Sequence, residues 1–288
     1  MGFFEKAFKL GGELDKKTSS YIGIFGFFFI LLFWYTLTGL TGWISAATIP
    51  SPIDVISSYK ELIMKDGLFF IADSSAGDHI GPSLGSRIWD SNMFYSVGLN
   101  LQGYMEAILL ALPIGFVIGL FPFFKSMFGK YIDAMRYTPI TGLVGIFIAW
   151  FGIGTGMKAH FLAFGIIVYL LPIVIQRVYE TEKVHLDTVW TLGATNWQMF
   201  TKVYFPSVMS KVFVDIRVIT AISWTYIIVA EMVNNEGGVG SMIYLASRQG
   251  RIDKIFAVIL FIIFFGFLQD KFFQVIEKMI FKYKFIKK

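Results

Sequence analysis

Asp187-Thr-Val-Trp-Thr-Leu-Gly-Ala-Thr-Asn-Trp-Gln-Met-Phe-Thr-Lys-Val-Tyr-Phe-Pro206 is the longest polar-and-aromatic interruption in the hydrophobic second half of this chain. Tyr179 to Leu192 has helical character, with Val184, Val189 and Leu192 among polar residues. Gly193 then stands where a helix C-terminus commonly takes positive φ, a conformation cheap only for glycine. Thr195 with Gln198 three positions on fits a capping box, which satisfies two orphan amide donors reciprocally. Trp197, Phe200 and Tyr204 follow at i, i+3 and i+7 and share one face. Pro206 is expected to end this second short helix. Two short helices cannot cross a bilayer, so the stretch projects from it. It either packs back on its own domain, its aromatics anchoring at the interface, or presents a docking surface, since Trp and Tyr are enriched in interface hot spots.

Outward from this stretch the chain is a membrane protein. Of 288 residues, 56% are hydrophobic and 16% charged, against about 45–50% and about 25% in soluble domains. The excess supplies spans of roughly 20 apolar residues each. A net charge of +5 belongs to the loops of such a protein and does not indicate nucleic acid as a partner; lipid is the expected surrounding. With no cysteine, disulfides and thiolate metal sites are excluded. His79, His160 and His185 lie too far apart for a metal motif, so no metal site is expected.

In order, residues 1–20 form a basic segment, either an amphipathic helix lying at the membrane surface or a solvated basic tail. Tyr21 to Leu40 is the first span, too long for the core of a cleaved signal. Residues 21–93 comprise it and a polar segment in which Asp54 to Met64 is an amphipathic helix and Asp66 to Asn92 a loop. Residues 94–276 form the transmembrane core, with a loop at 180–206. Its spans are Leu101–Phe121, Tyr137–Phe151, Ala159–Ile175, Val212–Ala230 and Ile255–Ile276. Gly115 and Gly119 permit close helix packing. Gly152 to Gly156 makes a tight turn, and no Gly-Lys-Ser/Thr follows that would make it a phosphate loop. Residues 277–288 are a basic tail. The fold class is all-α, with six spans and both termini on one side. Of the 25 Lys and Arg, 18 then share a side with the termini. Lys60, Lys65, Arg87, Lys158, Arg248, Arg251 and Lys254 fall on the other. By the positive-inside rule the termini and the 180–206 loop are cytoplasmic.

Three residues are candidates for the pathway or a gate. Glu106 lies inside the second span, where a lone carboxylate is costly and faces the bundle interior, for packing or for passage. Trp224 lines either the core or the path. Glu231, at the outer end of the fifth span, either shapes an outer gate or is a solvated helix-end acid. Asp215 and Arg217, near the inner end, read as a structural charge set. No cluster of Arg or Lys within the spans marks an anion site.

The stretch resembles the permease subunits of bacterial ATP-binding-cassette importers. That family carries a cytoplasmic Glu-Ala-Ala segment, a central Leu-Gly-Ala and an ending in proline. Here Asp187-Thr188-Val189, Leu192-Gly193-Ala194 and Val203-Tyr204-Phe205-Pro206 hold those places, with Asp for Glu and Thr-Val for Ala-Ala. Arg136-Tyr-Thr-Pro139, Ala149-Trp-Phe-Gly-Ile-Gly154, Ser223-Trp224, Ala230-Glu231-Met232, Gly238-Val-Gly240 and Asp270 resemble the nitrate, sulfonate, taurine and bicarbonate branch. Asn100 and Asp215 depart from it.

The resemblance implies a type I importer permease that catalyses no covalent chemistry and holds no catalytic residue or cofactor. Cytoplasmic ATP-binding subunits would bind ATP and Mg. They would dock on coupling helices carrying Asp187, Leu192, Gly193, Ala194, Thr195, Trp197, Phe200 and Pro206. A second permease copy, as in a homodimer, would complete the path, and a periplasmic or lipid-anchored substrate-binding protein would deliver a small anion such as nitrate, bicarbonate or a sulfonate. The location implied is the bacterial inner membrane. The alternatives are a secondary transporter or channel relaying ions through Glu106, Asp215 and Arg217, and an importer permease for a thiamine-precursor-like solute.

Overall fold

A computed structural model describes residues 14–68, 91–181, 183–234 and 236–285. The basic segment up to residue 13, His79 and most of the 66–92 loop lie outside the described residues. The described residues are helical, in two units.

The first unit comprises residues up to Leu62 together with Ala246–Ala257. Its helix α1, Lys16–Tyr35, runs on into a π-helical turn at Thr36–Leu40, and the only residue of that span buried among the described residues is Thr38. The amphipathic helix expected near Asp54 is α2, Pro52–Met64. Ser51 and Asp54 cap it reciprocally: Asp54 N–H donates to Ser51 Oγ at 3.3 Å, and Ser51 N–H donates to Asp54 Oδ2 at 3.1 Å. Arg251 donates to Glu61 at 2.7 Å, and that guanidinium holds the Glu61 carboxyl below its ordinary range.

The second unit comprises Ile63–Leu245 and Val258–Lys288. Helix α3, Asn92–Leu120, starts at Ser91, whose side chain caps Phe94 N–H. Helix α4, Pro122–Met135, follows, then a 3₁₀ turn at Ile140–Leu143 and α5, Val144–Phe151. Helix α6 is Thr155–Tyr179 and α7 is Lys183–Thr191. Helix α8, Asn196–Met199, passes through a π-helical turn at Phe200–Tyr204 into α9, Phe205–Glu231. Helices α10, Val239–Arg248, and α11, Ile252–Ile280, straddle the two units.

Helix α6 is the centre of this unit, with 67% of its span buried against 39% for α3 and for the α8–α9 helix. Glycines bring its neighbours close. A Cβ at Gly103, Gly115 or Gly119 of α3 would meet Leu162, Val174 or Val178 of α6 at 2.8, 2.6 and 2.9 Å. The partners ascend together, so α3 and α6 run parallel. The Gly115–Gly119 pair therefore packs as its spacing suggests. Gly165 does the same for Tyr226 of α9, at 2.8 Å.

One expectation is refined and one corrected. The span expected at Tyr137–Phe151 is observed as the helical stretch Ile140–Phe151, which meets Pro122–Met135 at 93° and with it makes one bent candidate span. Pro139 lacks an N–H and forces Thr138 away from helical geometry. The described residues hold five candidate spans, or six if the bent pair is one. Second, Pro206 does not end a helix: the helix that holds the fifth span begins at Asn196 and runs unbroken to Glu231. The π-turn absorbs the proline: Phe205 N–H bonds Phe200 O, five residues back. The ladder has thus changed register by the point where the proline's missing donor falls.

Candidate functional site

The 180–206 hairpin is built by local rules. Gly193 has φ +76° with open space about it. Its N–H bonds Trp190 O at 3.0 Å, and Ala194 N–H bonds Val189 O at 3.2 Å. This pair of bonds is the Schellman closure, which uses up the last carbonyls of α7. The capping box of α8 is present: Gln198 N–H donates to Thr195 Oγ1 at 3.3 Å, and Thr195 N–H donates to Gln198 Oε1 at 2.8 Å. Met199 and Val203 of the hairpin are buried, while four of its apolar side chains face outward. Val184, Trp190, Leu192 and Trp197 are 70, 59, 80 and 70% exposed. Asp187 is exposed, and among the described residues it has no hydrogen-bond or ion-pair partner.

The three aromatics divide. Trp197 turns outward, while Phe200 packs edge-on against Phe116 of α3, ring centroids 5.4 Å apart. Trp197, Phe200 and Tyr204 line a cavity of about 940 Å³ with Leu112, Phe116 and Leu120 of α3. Ion pairs fix the neck of the hairpin. Arg177 donates two bonds of 2.7 Å to Asp215 and one of 2.6 Å to Glu180, whose backbone carbonyl accepts from Lys211 at 3.1 Å. Arg177 holds the Glu180 carboxyl below its ordinary range. Arg217 instead bonds Asp270 and Glu277 on α11, each at 2.9 Å. Asp215 and Arg217 are thus members of two separate ion pairs.

At the other end of α9, Glu231 is fully buried, unlike a solvated helix-end acid. It accepts from Ser96 Oγ at 2.6 Å and from Gly240 N–H at 2.7 Å. Two neighbouring amides complete the set: Gly238 N–H donates to Asn92 Oδ1 at 2.8 Å and Val239 N–H to Ser96 Oγ at 2.9 Å. Three consecutive amides at the start of α10 are therefore held by side chains of α3 and α9, which answers the orphan donors of a helix N-terminus. Gly238 and Gly240 are required by this approach. A Cβ on the first would run into the Glu231 carboxylate, and one on the second would stand 2.6 Å from Ile228 O. Asn92, Ser96 and the fully buried Lys158 carried no signal in the sequence. Lys158 donates to Tyr95 Oη at 3.3 Å and lies 3.7 Å from Glu236.

Trp224 is buried, its Nε1–H donating to Gln269 Oε1 at 2.9 Å, which makes it a core residue of this chain. Glu106 is half-buried and paired. His160 Nδ1 lies 2.8 Å from its Oε2, and Gln102 Nε2 donates to its Oε1 at 3.1 Å.

The family described as "Binding-protein-dependent transport system inner membrane component" matches residues 111–282, more than half of the chain. The protein named aliphatic sulfonates transport permease protein SsuC in Bacillus subtilis (strain 168) is 27% identical, over 88% of this chain and 84% of its own. The taurine transport system permease protein TauC of Escherichia coli (strain K12) is 23% identical over 84% and 82%. The nitrate import permease protein NrtB of Synechocystis sp. (strain ATCC 27184 / PCC 6803 / Kazusa) is 25% identical over 87% and 86%. Among solved structures, an inward-facing MetNI methionine ABC transporter superposes with a TM-score of 0.54. It is 15% identical and covers 65% of this chain and 93% of its own, a likeness of fold.

Proposed function

The chain belongs to the family of inner-membrane components of binding-protein-dependent transport systems, and from that premise we propose that it is the ATP-driven permease through which a small polar solute of the sulfonate, taurine or nitrate kind is imported. The observation that carries this reading is the hairpin. Many of its backbone groups are satisfied internally, Val184, Trp190, Leu192 and Trp197 face outward, and its second helix continues without a break into the fifth span as one 36-residue helix. A partner that moves the hairpin moves α9 with it. An exposed apolar patch on a rigid support marks an interaction site.

In this reading two cytoplasmic ATP-binding subunits, which hold ATP and Mg, dock on the hairpins of two permease copies. Nucleotide binding draws the hairpins together, the spans rock, and access alternates between the two faces of the inner membrane. A substrate-binding protein delivers the solute at the end where Glu231 holds the glycine loop. The termini and hairpin lie in the cytoplasm, in keeping with the positive-inside bias. Leu192 and Trp197 lie at the centre of the contact, and Asp187 on its rim.

Leu192→Asp and Trp197→Asp are expected to leave membrane insertion intact. They should abolish co-purification of the ATP-binding subunits and ATP-driven uptake into vesicles. Survival of both properties would overturn the docking assignment. The alternative of a secondary transporter relaying ions through Glu106, Asp215 and Arg217 fits poorly with Asp215 and Arg217 being tied in separate ion pairs.

A further inference from the structure

We infer that Gln102, Glu106 and His160 form a binding site on the translocation path for a solute bearing a positively charged nitrogen. The inference rests on the importer reading and names the solute chemistry that the spans themselves select. Glu106 lies in the middle of α3, yet its side chain is 28% exposed, and that of His160 is 43% exposed. An ionisable group at that depth faces a bundle interior or water rather than lipid. The open side of this pair is therefore a wet surface.

The groups on that side favour positive charge. A carboxylate offers about four lone-pair positions. Two are used here, by His160 and Gln102. The others are free to accept from a ligand. The half-exposed ring of Phe151 lies 4.7 Å from the His160 ring, and aromatic rings attract cations. The nearest cation along the chain, Lys158, is fully buried and committed to Tyr95 and Glu236. A plain inorganic anion would meet acceptors here. An amino-sulfonate would place its ammonium on Glu106.

The absence of cysteine makes the test direct. Gln102→Cys is placed in the full transporter, assembled with its ATP-binding subunits in membrane vesicles. The thiol is reacted with a trimethylammonium methanethiosulfonate and with its anionic sulfonate counterpart, each rate normalised to a free thiol. Leu101→Cys, exposed on the same helix but about 100° round it from Gln102, is the control.

The cationic reagent is expected to react faster by at least about 5-fold, the factor a unit charge at ~4 Å exerts through water. Glu106→Gln should abolish the preference, Glu106→Asp should retain it, and Leu101→Cys should show no such preference. A Gln102→Cys thiol that no reagent reaches in any nucleotide state would overturn the site. So would a preference that survives Glu106→Gln. Failure of the importer reading looks different: the preference persists, but the ATP-binding subunits do not co-purify and nucleotide changes no rate.

Discussion

The helix from Asn196 to Glu231 begins in a turn that satisfies itself and ends in one that other helices satisfy. At its start, Thr195 and Gln198 exchange bonds while Gly193 and Ala194 close the preceding helix. At its end, Glu231, Ser96 and Asn92 hold the amides of residues 238–240. Both ends need glycine, for different reasons. Gly193 needs its left-handed φ and has open space around it, whereas Gly238 and Gly240 have no room for a side chain. A self-satisfied turn can move as a body and keeps its apolar surface for a partner. A turn satisfied from outside is locked to its neighbours until those bonds break.

Removing the lock should show the largest effect. Glu231→Ala leaves the Ser96 hydroxyl and the Gly240 amide buried without their acceptor. It should cost about 3 kcal/mol, read as a loss of thermal stability in detergent, and Glu231→Gln should restore most of it. If Glu231→Ala melts with the wild type, the two ends do not differ as described. Gly193→Val puts a β-branched residue at φ +76°, a local cost of roughly 1–2 kcal/mol. Insertion should persist while ATP hydrolysis is uncoupled from uptake, and uptake near the wild-type level would break the comparison from its other side.

Thr195→Ala removes one half of the capping box at a cost of about 1 kcal/mol. The expected readout is faster amide exchange confined to residues near 196–199. The smallest effect concerns acid. Arg177 lowers the folded Glu180 pKa, so the pair's stabilisation is complete above the ordinary carboxylate value and is lost as pH falls through the lowered one. Because Glu180 is 36% exposed, at most about 1 kcal/mol is involved. Exchange near the neck should rise in acid, and Glu180→Gln should flatten that response.

The difference between the two ends also explains what could be read in advance. The hairpin was legible because its bonds span at most five residues. Gly193 at the C′ position and Thr195 with Gln198 are sequence-local signals. Pro206 misled, because proline usually stops a helix and nothing in its immediate neighbours announces the five-residue bond from Phe205 to Phe200. The boundary before Tyr137 was legible, but the 93° angle there was not, because apolar composition records where a stretch begins and not the direction in which its helix runs.

By itself, the sequence determined an all-helical membrane protein, its approximate spans, the glycine faces that let helices approach, and the capped hairpin. These follow from composition and from contacts within a turn or two of chain. Only the tertiary structure decided the fate of the polar side chains. The Glu231–Ser96 and Glu106–His160 pairs are 135 and 54 residues apart in sequence, and each depends on the register in which helices pack. That register is a property of three dimensions: sliding α3 by one residue along α6 would turn Ser96, Glu106 and the glycines about 100° away from their partners.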